Sequence, residues 1–207
     1  MNPWNLFVLP ALSAWVALLE CDSVLVGQWM VSRPLVLGPS VGFLCGDIRM
    51  GLAVGTLCEL FSFDRAPVGS AIPFNAPVAA GCAVLLCAGP DAVPIPLAFP
   101  AGLAAGYGHR RAEYALRFWR ARLTRDAAES LEARGRVDWI RIHLLSVGVH
   151  ALLTAAFVYA AAGVLGPGLS AGWDVLPDLA RRGLQNALDA APFIGLAALM
   201  HVFFRKA

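Results

Sequence analysis

Residues 32–77, SRPLVLGPSVGFLCGDIRMGLAVGTLCELFSFDRAPVGSAIPFNAP, scatter the charges Arg33, Asp47, Arg49, Glu59, Asp64 and Arg65 among glycines, prolines and short apolar runs. No soluble core is written this way, and no run reaches the ~20 apolar residues that a helix needs to cross a bilayer. Broken or re-entrant membrane helices fit the pattern. Non-helical backbone survives at membrane depth only where protein buries it or where it lines a wet cavity, so the stretch is a candidate transport path.

The rest of the chain agrees with a membrane setting. Of its 207 residues 58% are hydrophobic and only 14% charged, against about 25% charged in soluble domains, and its mean hydropathy is +0.66. Long Ala/Leu/Val/Gly runs without two-residue alternation exclude an outer-membrane barrel. The fold class is therefore an all-α integral membrane protein, a single membrane domain over 1–207 with three parts. Residues 1–107 carry broken or re-entrant helices, 108–138 a basic amphipathic cytoplasmic segment, and 139–207 two further spans.

Along the chain, residues 4–19 form an apolar helix with no basic stretch before it and no cleavage pattern after it, so it is retained in the membrane. Glu20 and Asp22 mark its far end. A mixed connector with Gln28 and Trp29 follows, and Pro34 opens the next helix. Gly38, Gly42 and Gly46, then Gly51 and Gly55, recur every four residues, a spacing that lines one helical face and lets a neighbouring backbone approach closely. Between them Asp47 marks a turn or a half-helix end.

Glu59 sits in LAVGTLCELFSF with no basic residue nearer in sequence than Arg65. Burying such a carboxylate costs roughly 2.5–3.5 kcal/mol, so it must face a cavity or a partner, or carry a proton. The prolines at 67, 73 and 77, with Gly69, then force an irregular loop ending near Asn75. Residues 78–107, interrupted by Pro90, Pro94, Pro96 and Pro100, read as two half-length or kinked helices.

The segment 109–136 holds eight arginines against Glu113, Asp126, Glu129 and Glu132, a net charge of +4. The positive-inside rule places it in the cytoplasm. Leu116, Trp119 and Leu123 give it an amphipathic stripe suited to an anionic lipid surface over 110–136; so apolar a chain is not a nucleic-acid binder. A span over 139–165 containing His143 and His150 ends at Gly166-Pro167-Gly168, a polar connector covers 169–183, and a last span runs over 184–204. Two crossings return Arg205 and Lys206 to the cytoplasmic side.

The five cysteines lie in apolar surroundings, without C-x-x-C and without a histidine at ligand spacing, so they read as small buried thiols and no metal or cofactor is expected. The chain has no G-x-x-x-x-G-K-[ST], G-x-G-x-x-G or H-E-x-x-H, and nothing suggests catalysis by this chain alone.

Together, Arg33-Pro34, Leu44-Cys45-Gly46-Asp47, the Gly-x-x-x-Gly before Leu57-Cys58-Glu59-Leu60, and Pro67-Val68-Gly69 form a fairly specific combination. It resembles the IIC membrane subunit of the mannose/sorbose type of bacterial sugar phosphotransferase system, over residues 20–80 and more weakly over 139–204. The resemblance implies an inverted-repeat helical fold with re-entrant hairpins in the bacterial inner membrane. It also implies a sugar permease subunit working with a IID membrane partner and cytoplasmic IIA and IIB phosphocarriers, in an oligomeric assembly, on a hexose or amino sugar. Family members usually continue beyond a span such as the one ending at Phe204, making this a C-terminally short variant. Glu59, and Asn75 where the family usually has an acid, would form the sugar site with Gln28; Arg33, Pro34, Asp47 and Gly69 would be structural. Two other readings stay open: a non-transporting scaffold or regulatory subunit that kept the fold, and an ion-coupled small-solute carrier with Glu59 as its titrating group.

Overall fold

The computed structural model describes residues 2–23, 25–62, 72 and 74–205. Gly69, expected to be a turn residue, lies outside them. All regular structure among the described residues is helical. Helix α1 (Leu9–Glu20) is entered by a π-helical turn, Trp4–Val8, and left by a 3₁₀ turn, Cys21–Ser23, giving one apolar segment of 20 residues. Then come α2 (Pro34–Leu44), α3 (Ile48–Ser62), α4 (Ala76–Ala88), α5 (Ile95–Arg134), α6 (Trp139–Val175) and α7 (Asp178–Arg205).

The centre of the molecule is α4. Its sequence, APVAAGCAVLLCA, is apolar on every side, and a helix of that kind belongs in the interior. Every residue from Val78 to Leu86 is buried, and α1, α2, α3, α5 and α6 all pack on it. With 11, 15 and 13 residues, α2, α3 and α4 reach only roughly 16–23 Å at 1.5 Å per residue, short of the ~30 Å hydrocarbon core.

α2 and α3 form an antiparallel hairpin in which glycine meets glycine. A Cβ on Gly51 would stand 2.4 Å from the carbonyl oxygen of Gly38, and one on Gly55 would stand 2.4 Å from that of Pro34. Gly42 is packed as closely, with a Cβ there 2.6 Å from the Asp47 carbonyl oxygen. The four-residue glycine spacing is thus a backbone-to-backbone interface, as expected. Gly46 turns the chain with a φ of +86°, a left-handed conformation that only glycine adopts cheaply. Asp47 then caps α3, its Oδ1 accepting the Met50 N–H at 2.9 Å. Pro34 fills the first position of α2, where its missing N–H has no helical partner to lose. Gly102 and Gly106 of α5 do the same against α4, facing the carbonyl oxygens of Ala79 and Asn75.

Two expectations are corrected. The sequence divides the chain at residue 107, ahead of a separate basic segment, whereas α5 runs unbroken from Ile95 to Arg134; the basic segment is its second half. The Gly166-Pro167-Gly168 turn is absent too, because α6 continues through it to Val175 and only residues 176 and 177 separate it from α7. A proline inside a helix forfeits one N–H bond, but a turn in apolar surroundings would leave several backbone groups unpaired.

The most apolar window of α6 has a mean hydropathy of 1.8, yet only 17% of it is buried. Ile140, Leu152 and Val164 of α6, and Phe193 and Ile194 of α7, are exposed. Such a surface requires lipid or another apolar partner around it.

The hairpin packing has a direct test. Gly51→Ala is expected to destabilise the protein by about 1–3 kcal/mol through overpacking, while Gly172→Ala, where a Cβ would meet nothing within 4 Å, leaves it unchanged. Thermal unfolding of the detergent-solubilised variants measures the difference.

Candidate functional site

The end of α1, the start of α2, Ile72, residues 74–77, the middle of α5 and His150 of α6 line a cavity of about 160 Å³. A water needs about 10–15 Å³ by this measure, so the space suits a molecule of monosaccharide size.

The cavity wall is built on a buried carboxylate. Glu20, the last residue of α1, is 3% exposed; its Oε1 accepts from Asn75 Nδ2 at 2.8 Å and its Oε2 lies 2.5 Å from His150 Nε2. Asn75 caps α4, with Oδ1 accepting the Val78 N–H at 3.0 Å. That bond turns its amide N–H groups toward Glu20 and toward His109 Nδ1, 3.2 Å away. His109 therefore accepts at Nδ1 and donates from Nε2 to Thr154 Oγ1 at 3.1 Å. Fully buried, its ring packs edge-on against Phe157 at 5.1 Å between centroids.

Glu113, about two turns before Arg120 on α5, extends the cluster. Its Oε1 accepts from Arg120 Nη2 at 2.6 Å and from Arg117 Nε at 3.3 Å. Its Oε2 faces His150 Nδ1 at 3.6 Å, beyond hydrogen-bond reach, and neither atom has a hydrogen-bond partner among the described residues. Two buried polar atoms without a hydrogen-bond partner thus stand side by side at the cavity wall, and a ligand with hydroxyl groups can supply the bonds that they lack.

The sequence-derived site residues fall into different places. Asn75 lines the cavity, but its side chain is committed to the cap, Glu20 and His109. Glu59 is half-buried and ion-paired with Arg33 at 3.1 Å, with Oε2 also accepting the Leu35 N–H at 3.4 Å. Among the described residues its basic partner is Arg33, 26 residues away in sequence. Arg33, the residue before α2, lines the cavity rim together with Pro34. Gln28 is exposed in the loop after Asp22, with a positive φ of 56°, and is not among the cavity walls. Asp22 holds that loop by accepting from Trp29 N at 2.6 Å and Ser32 N at 3.3 Å.

Glu20, Glu113 and His109 are the residues that sequence reasoning did not select. One signal was available for Glu20, an acid attached directly to an apolar span, which is costly unless matched. The basic residues around Glu113 concealed it. All five cysteines are free. Cys21 also joins Glu20 and His150 so that their donor atoms fall within 4.8 Å of one another. This is a set of metal-ligand types that linear spacing could not reveal, although here the carboxylate and imidazole engage each other.

Because His150 and Glu20 are both nearly fully buried, removing one strands the other. His150→Leu is expected to destabilise the fold by about 3–5 kcal/mol. Glu59→Gln, whose Arg33 partner has a half-exposed side chain, is expected to cost about 1 kcal/mol or less. Denaturant titration of the two variants in detergent checks the contrast.

With the geometry described, comparison with known proteins gives the following. A family model described as the sorbose-specific IIC component of the PTS system matches residues 6–207. A solved structure described as a membrane protein superposes with a TM-score of 0.77 at 16% identity, covering 98% of this chain and 81% of that one. The structure of the mannose transporter ManYZ in complex with microcin E492 has a TM-score of 0.65 at 18% identity, covering 98% and 80%. At these identities the two structures establish a shared helical membrane fold. No curated protein matches the chain.

Proposed function

The chain belongs to the sorbose-specific IIC family and is a membrane permease subunit of a sugar phosphotransferase system, and from that premise we propose that its sugar binds in the cavity beside Glu20, Asn75, Glu113 and His150. The observation that carries this assignment is the unsatisfied pair Glu113 Oε2 and His150 Nδ1, 3.6 Å apart at the cavity wall. Sugar hydroxyls donate and accept, so neighbouring hydroxyls beside the gap can supply what each atom lacks.

In this reading Asn75 and Glu20 order the wall, and Glu59 acts one step away by holding Arg33 at the rim. Gln28 belongs to the flanking loop. The short α2–α3 hairpin and the start of α5 against α4 act as re-entrant elements of an inverted-repeat scaffold. The subunit performs no chemistry alone: a IID-type partner completes the path, as the two-component name ManYZ suggests for that neighbour, and IIB and IIA phosphocarriers modify the sugar from the cytoplasm. The protein sits in the bacterial inner membrane in an oligomeric complex, with the basic half of α5 and the C-terminus cytoplasmic. Arg111, Arg122 and Arg125, all exposed, are free to meet anionic headgroups at about 1 kcal/mol each.

Uptake of labelled hexoses and amino sugars by the chain reconstituted with a IID-type partner and phosphocarriers tests the proposal. Glu113→Gln is expected to lower uptake about tenfold or more, the effect of one charge-assisted hydrogen bond, without disrupting the complex. Full uptake by that variant removes the site assignment. A complex that assembles yet moves no sugar in any combination supports a scaffold role instead.

A further inference from the structure

Among the described residues, Arg33 is ion-paired with Glu59, Arg117 and Arg120 share the single carboxylate of Glu113, and Glu20 is engaged by His150 and Asn75. Arg110 lines the same cavity and has no carboxylate partner among the described residues. Its Nε is buried without a hydrogen-bond partner, and its guanidinium carbon lies 5.8 Å from the ring centroid of Tyr114. Stacking on an aromatic face stabilises a guanidinium but satisfies none of its in-plane N–H donors. A half-buried guanidinium whose Nε–H is buried without an acceptor is costly unless an anion meets it.

We infer that the cavity selects an anionic monosaccharide, whose carboxylate or phosphate is bound by Arg110 while its hydroxyls lie against Glu113 and His150. The fork of a guanidinium takes either group through two parallel N–H···O bonds. The acid has two possible sources: a sugar acid taken up as such, or the phosphosugar present after phosphorylation. This assignment rests on the cavity being the sugar site, and its test separates the two claims.

The experiment is isothermal titration of the full chain, in nanodiscs with its membrane partner, with glucuronate, glucose 6-phosphate, glucose and inorganic phosphate. One or both anionic sugars are expected to bind about tenfold or more tightly than glucose. Arg110→Gln is expected to erase that advantage while retaining glucose binding, which also shows that the variant is folded, and Arg110→Lys to keep part of it. An advantage for glucuronate alone identifies a sugar acid as ligand, and one for glucose 6-phosphate alone identifies the phosphosugar. Glucose binding as tightly as both anions, an advantage that survives Arg110→Gln, or inorganic phosphate binding as tightly as glucose 6-phosphate overturns the inference and leaves the sugar site standing. Binding of none of the four overturns both.

Discussion

A carboxylate placed at the end of an apolar helix has to be matched, and the matching of Glu20 ties distant parts of this molecule together. Its two oxygens engage Asn75 and His150, which fixes the start of α4 and the middle of α6 against the end of α1. Through the Asn75 amide the same network reaches His109 on α5 and Thr154 on α6. In surroundings of low dielectric these bonds are strong, and an unpaired member is heavily penalised. One acid therefore positions four helices around the cavity.

The glycine interfaces supply the complementary constraint. In an apolar solvent there is little hydrophobic drive to bring helices together, so close backbone approach and dispersion must do so. The contacts of Gly38, Gly42, Gly51 and Gly55 bring α2 and α3 together, and Gly102 and Gly106 bring α5 onto α4. In each pair the two helices cover one another's backbone. They also leave Arg33 at the cavity rim with Glu59 behind it, where a sequence view sees only two unrelated charges.

Much of the architecture was legible because it is local. Glycine spacing and the Gly46-Asp47 turn are each decided within a few residues, and they reappear where expected. The boundaries that differed involve proline and charge in long helices. Pro167 does not end α6, and the arginines of 109–136 do not end α5, since a continuous helix keeps its backbone bonds while long side chains reach their own partners.

The sequence by itself determined that this is a helical membrane protein of short, glycine-packed elements, and it carried the motifs of the sorbose-specific IIC family that the comparison bears out. Only the tertiary structure decided which charges are consumed and which remain available. Glu59 is matched by Arg33, Asn75 by Glu20 and His109, and Glu20 by a histidine 130 residues away, leaving Arg110 without a carboxylate among the described residues. The physical reason is that charge compensation depends on distances of a few ångströms between helices, and such neighbours leave no mark in linear order.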